Sequence, residues 1–167
     1  MHFLKSYFFG HIEREQCDIL VVSSCGGHLK QIIDLQEAYK SKKVFFAIND
    51  NYTMPQEYEK YSFRIIHAER NLLQLFHILE AFMIFIILKP KMLLSAGAAP
   101  IVIFSLIGKI FGIKTIFIES FSRVSHPSLT GKFMYKIADV FYYQWPLLEK
   151  YFPQGKFKGN ILWFFLQ

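Results

Sequence analysis

Two glycines and a histidine, Gly26, Gly27 and His28, stand where the apolar run 19–22 gives way to a helical pattern. Without a Cβ the chain turns sharply there and directs its N–H groups outward at a helix N-terminus, where the dipole favours phosphate. A second small-residue turn, residues 96–100 around Gly97, repeats the arrangement after another apolar run, and Glu119 and Ser120 end a third. Ligands of open α/β sheets bind outside the carboxyl ends of the strands, so Gly26, Gly27, Gly97 and Glu119 are expected to converge on one crevice. The residue pattern alone leaves a second reading open, because strand, Gly-Gly and helix also recur as a plain tight turn. Cys25 has a nucleophile's chemistry, yet packing as a small residue in the turn is the favoured role. Neither cysteine has a His or Cys at metal spacing, so no metal and no cofactor are expected. The dinucleotide fingerprint lacks its third glycine, and GKIFGIKT at 108–115 lacks the spacing of a phosphate loop.

The elements that must position these groups follow from hydrophobic period. Residues 19–22, 43–48, 63–66, 92–95, 115–118 and 140–143 read as short buried strands, and 28–38, 101–111 and the stretch ending near Ala138 read as helices. Asn71 stands at an N-cap position before 72–88, which Lys89 and Pro90 stop. The repeated βαβ pattern predicts a doubly wound, mostly parallel Rossmann-like sheet over 17–160, preceded by an arm at 1–16 and followed by an apolar tail at 161–167.

The segment 72–88 bears on membranes. Seventeen residues is at the lower edge of a spanning length of about 20, and Gln74, His77 and Glu80 recur along one narrow side. A wide-faced amphipathic helix is therefore expected, its polar side toward water and its apolar residues, among them Leu72, Phe76, Phe82 and Phe85, shared between the sheet and lipid or a partner. A plain buried crossover helix is the competing reading.

Composition agrees with an unusual surface. The 167 residues are 53% hydrophobic with 19 Phe, nine Tyr and two Trp, more aromatic area than a single core of this size needs. The net charge of +6 suits anionic headgroups or diphosphates. Nucleic acid is excluded as a partner because the basic residues are scattered and no nucleic-acid motif is present. Two cysteines and no signal peptide point to a reducing compartment.

SSCGGHL at 23–29, LLSAGAAPIV at 93–102, and ESFSRV, SLTGK and QWP between Glu119 and Pro146 together resemble the acceptor-side subunit of split family B glycosyltransferases. The similarity covers residues 17–160 and is stronger to the bacterial capsule and exopolysaccharide proteins of PssD or CpsF type than to the eukaryotic subunit acting on dolichol diphosphate. More distantly, the chain resembles the N-terminal half of MurG.

This resemblance implies half of an inverting hexosyltransferase. The chain would bind a lipid-diphosphate-linked saccharide at the cytoplasmic membrane face as a peripheral protein, while a donor-binding partner in a heterodimer supplies the nucleotide-sugar. The backbone of Gly26, Gly27 and Gly97 would hold the diphosphate, with Arg123 or Lys132 adding charge-assisted bonds. His28 is the candidate general base and Glu119 its rival, since either can take a proton from an attacking hydroxyl. Gln144, Trp145 and Pro146, with Trp163, Phe164 and Phe165 of the tail, are the expected partner contacts. A non-catalytic scaffold that activates a partner transferase is the alternative. The sugar transferred stays open.

Overall fold

The computed structural model describes residues 17–49, 56–66 and 76–161. The 1–16 arm, Leu72 and the tail positions Trp163, Phe164 and Phe165 lie outside them.

Among the described residues, seven parallel strands form one sheet: β1 (Ile19–Ser23), β2 (Val44–Asn49), β3 (Ser62–Ile65), β4 (Met92–Ser95), β5 (Lys114–Ile118), β6 (Val140–Tyr143) and β7 (Lys156–Phe157). Their order, β3-β2-β1-β4-β5-β6-β7, winds outward from β1 in both directions. The reversal falls between β1 and β4, whose Leu20 and Leu93 lie opposite each other. This is the Rossmann-like arrangement expected, with the binding end at the β1/β4 switch point.

Side chains alternate across the strands into two cores. Leu20, Val22, Phe45, Ala47, Leu93 and Phe117 point to one face, where α3 (Phe76–Leu88), α4 (Pro100–Ile110) and α5 (Leu129–Ile137) cover them. Ile19, Val21, Phe46, Ile48 and Leu94 point to the other, under α1 (Gly27–Asp34). Each fully buried Leu, Ile or Phe contributes about 1.5–3 kcal/mol of transfer free energy. The polar stretch after β2 contains a single described turn of helix, α2 (Gln56–Glu59).

Two readings of helices need correction. The expected continuous helix 28–38 breaks at Leu35 and continues as a 3₁₀ turn, Gln36–Ala38, because the Ile32 carbonyl accepts from both Leu35 N and the Tyr39 hydroxyl. On α3 the polar side faces inward, not toward water. His77 and Glu80 are buried, His77 Nδ1 lies 2.5 Å from Glu80 Oε2, and Glu80 Oε1 accepts from Ile66 N beyond the end of β3 at 2.8 Å. Mutual pairing plus a backbone donor lets two polar groups occupy the inner face. Phe85, assigned to the membrane face, is 2% exposed and packs edge-on against Phe104 and Phe111. The outer face instead carries Phe76, Leu79 (62% exposed), Phe82 and Ile86, continued on α4 by Leu106, Ile110 (82% exposed) and on its C-cap by Phe111. No helix among the described residues is long and apolar enough to cross a membrane.

Two outcomes test this arrangement. Glu80→Ala orphans the Ile66 N–H and strands a buried imidazole, so unfolding in urea should show a loss of about 2 kcal/mol, whereas Leu79→Ala should change it by under about 0.5 kcal/mol. Burial pushes the Cys17 thiol up to about 12, partly offset by a backbone hydrogen bond from Phe45. Iodoacetamide at pH 8 should therefore modify half-exposed Cys25 in the native protein and reach Cys17 only after denaturant is added, as read by peptide mass; native labelling of Cys17 would refute its placement.

Candidate functional site

The first glycine joint is built where β1 ends. Gly26 takes φ +82°, a conformation L side chains rarely adopt, and serves as N-cap of α1 with no side-chain hydrogen bond capping the first turn. No atom lies within 4 Å of where a Cβ on Gly27 would sit, so the approach to this turn is open. The second joint differs. Gly97, after β4, has φ +128°, and its N–H is directed to Ser95 Oγ at 3.3 Å while that hydroxyl donates to Gly97 O at 2.6 Å. Ala98 beside it has φ +86°, a strained value for a residue with a Cβ.

His28 joins the two. Its Nδ1 lies 2.8 Å from Ala96 O, and its ring rests on Gly97, where a Cβ would come within 2.4 Å of Cε1 and Nδ1. A carbonyl oxygen only accepts, so Nδ1 carries the hydrogen and the neutral ring has its lone pair on Nε2. The imidazole borders two hollows. One, of about 510 Å³, is walled by Gly97, Ala98 and Ala99 before α4, by Ser122 and Arg123, and by Ser128, Leu129 and Thr130 at the start of α5. The other, of about 550 Å³, is walled by Gly27, Lys30, Gln31 and Asp34 of α1, by Phe121, and by Ile161. The N-terminal ends of α1, α4 and α5 thus face one polar crevice, a setting for an anion.

Of the residues sequence reasoning placed here, His28 borders both hollows, Gly27 lines one, Gly97 and Arg123 line the other, and Gly26 lines neither. Lys132 lies on an exposed side of α5 outside both hollows. Glu119 is completely buried beneath the crevice. Its Oε1 accepts from Ser120 N at 2.8 Å, and its Oε2 accepts from Ser128 N and Ser128 Oγ, both at 3.1 Å. Gly131 lets α5 approach so closely that a Cβ there would fall 1.8 Å from Oε2. This corrects its candidacy as a base, since a carboxylate enclosed by three donors and shut off from the crevice has no path to a substrate proton.

Gln144 is likewise not a surface contact. It is buried, donating from Nε2 to Gln31 Oε1 and Glu119 O at 2.9 Å each, and accepting from Ile161 N at 3.1 Å. Trp145, half-buried, donates Nε1–H to Phe121 O at 2.7 Å and lays its ring 5.2 Å from that of Phe121. Only Pro146 of the three stays exposed. Gln31 was missed: its Oε1 also accepts from Phe121 N, and its Nε2 donates to Gly27 O, so it binds the crevice loop to α1. A glutamine one turn into the helix, after Gly27, was the only available signal.

Known proteins resemble this chain in sequence or in fold. The mouse protein "UDP-N-acetylglucosamine transferase subunit ALG14" is 26% identical over 184 aligned residues, covering 89% of this chain and 85% of its own. The human subunit of the same name is 27% identical with the same coverage. Among solved structures, UDP-N-acetylglucosamine 2-epimerase from Rickettsia bellii superposes with a TM-score of 0.69 at 13% identity over 91% of this chain and 47% of that one. MurG from Acinetobacter baumannii superposes at 0.64 and 13% identity, over 77% of this chain and 42% of that one. The chain therefore spans under half the length of either structure, and at that identity the likeness is one of fold. The family model for "Oligosaccharide biosynthesis protein Alg14 like" matches residues 61–161, from the start of β3 through α5 to the Ile161 that closes the crevice, and the chain belongs to that Alg14-like family.

Proposed function

We propose that this chain is the acceptor-binding subunit of a two-component inverting glycosyltransferase. A sugar passes from a nucleotide donor held by a partner chain to a saccharide carried on a lipid diphosphate. The names of the mouse and human relatives make UDP-N-acetylglucosamine the donor of choice. The similarity of ESFSRV, SLTGK and QWP to capsule and exopolysaccharide proteins extends the reading to surface polysaccharide assembly at the cytoplasmic membrane face.

One observation carries it: three helix N-termini, Arg123 and an imidazole whose Nδ1 is engaged by Ala96 O meet at the switch point of the sheet. The diphosphate would lie against the first turns of α4 and α5 with Arg123 as counter-charge. Gly26 and Gly27 offer a further backbone surface from α1. The acceptor hydroxyl attacks the anomeric carbon, His28 Nε2 takes its proton, and the bond from that carbon to the donor's diphosphate breaks with inversion. The nucleoside diphosphate departs with the bonding pair.

The outer apolar face of α3 and α4 supports peripheral membrane association, since an exposed patch of this extent marks an interaction site. Of the expected anchor, Phe76 and Phe82 are the described residues that stay exposed. Partner contact through Pro146 and through Trp163, Phe164 and Phe165 remains part of the proposal.

Four experiments test this reading. The purified chain should be inactive alone and active once its donor-binding partner is added; activity of the chain alone would refute the divided enzyme. In the pair, His28→Ala should lower kcat about 10²–10⁴-fold, the range for loss of a general base, in a variant that still folds and binds the partner. Gly27→Ala fills space that is open in the free protein, so it should raise KM for the acceptor at unchanged stability, and an unaltered KM would remove Gly27 from the site. Finally, Leu79→Glu with Phe82→Glu should abolish sedimentation with vesicles containing anionic lipid while leaving transfer to a short-chain, water-soluble acceptor intact. Retained sedimentation would move the membrane contact elsewhere.

A further inference from the structure

The second glycine joint was expected to hold phosphate, and its geometry points elsewhere. The Gly97 N–H is turned inward to Ser95 Oγ, so it is not offered to the crevice. The bare Cα face is covered by the His28 ring at a distance that no side chain at 97 would permit. Ala96, the residue before it, supplies the carbonyl that holds Nδ1.

We propose that Ser95, Ala96 and Gly97 form a seat for His28, and that Gly97 is a positioning residue, not a phosphate ligand. The inference rests on the reading of His28 as the base and adds how that base is made competent.

The seat acts in two ways. Carbonyl acceptance at Ala96 selects the Nδ1–H tautomer, which leaves Nε2 as the only lone pair able to take a proton. Contact with Gly97 fixes the plane of the ring, so that Nε2 is presented at one place instead of sweeping through a rotamer's range. Ser95 holds the glycine in turn. Its hydroxyl donates to Gly97 O and accepts from Gly97 N, bridging a backbone whose φ of +128° only glycine adopts readily. The seat is the end of β4 and the turn after it, and its base is on α1, so the two sides of the switch point are joined through one imidazole. The strain at Ala98, the next residue, is consistent with a turn shaped for this contact.

The test reads the tautomer directly. The full-length chain labelled with ¹⁵N contains six histidines, and the His28 signals are assigned by their loss in His28→Gln. Long-range proton–nitrogen spectra at pH 8 should show His28 as the Nδ1–H form. A dominant Nε2–H pattern overturns the proposal regardless of any activity. In folded Gly97→Ala the same signals should move toward the Nε2–H or an averaged pattern, and an unchanged pattern overturns the role of Gly97. Should that variant fail to fold, the wild-type spectrum and Ser95→Ala decide. With the partner present, Ser95→Ala should lower kcat about tenfold and leave KM for the acceptor within twofold. A raised KM at unchanged kcat would return the second joint to substrate binding and refute the seat. If His28 proves dispensable for transfer while the Nδ1–H spectrum holds, the catalytic reading fails and the seat stands.

Discussion

The crevice depends on one buried carboxylate. Glu119 follows β5 where the chain must leave the sheet, cross the mouth of the crevice and start α5, and its oxygens gather the donors that make this possible. Ser120 N, Ser128 N and Ser128 Oγ converge on them, while Ser128 Oγ itself accepts from Gly131 N as the cap of α5. Both ends of the 120–128 loop are thereby pinned to one side chain, and the loop carries Ser122 and Arg123 to the crevice wall. Placing a carboxylate at the N-terminus of α5 is also favourable to the helix dipole. Leaving any of these buried groups unpaired would cost about 1–3 kcal/mol, which is why they occur as a set.

A second polar layer extends the same constraint to the neighbouring elements. Gln144 takes the Glu119 carbonyl from the side of β6, meets Gln31 of α1, and receives the N–H of Ile161. Gln31 then returns to Phe121 N and Gly27 O. The ends of β5 and β6, α1 and Ile161 are cross-linked at the end of the sheet where backbone groups would otherwise lack partners. Rigidity of this kind is what a site of fixed geometry requires, because a positioned base loses its advantage when it wanders by an ångström.

Much of this was legible in the chain. The strands were readable because those buried on both faces are continuous apolar runs, as in Leu20, Val21 and Val22, and the glycine joints were readable because glycine adopts the positive φ found at 26 and 97 without the strain a Cβ brings. Hidden were the partners of polar residues. Glu119 and Gln144 looked like surface chemistry because a polar residue at a strand end has the same letter whether it faces solvent or ties down a loop. His77 and Glu80 misled in the same way. Their period marked one side of a helix correctly, but only the backbone N–H of Ile66 reveals that this side is the inner one. At Gly97 the location was legible, but sequence does not show that a histidine 69 positions earlier lies across it.

The inversion of α3 has a consequence for how the two functional surfaces relate. A helix that buries its polar pair and exposes Leu79, Phe82 and Ile86 gives up apolar burial against its own sheet, and isolated in water that choice has little to recommend it. It becomes reasonable when the outer face meets another apolar medium. The adjoining helix α4 takes part in both surfaces: the residues just before it line the crevice, and Leu106 and Ile110 toward its other end extend the apolar face. Leu129, at the first turn of α5, is exposed at the crevice wall itself. Under the proposed function, an acceptor whose charged diphosphate is linked to a hydrocarbon tail needs these two environments on adjacent parts of one rigid body, so that the head can reach helix N-termini without the tail leaving lipid. One sheet face carrying α3, α4 and α5 provides that adjacency, and the buried His77–Glu80 pair is what leaves the outer side of α3 free for it.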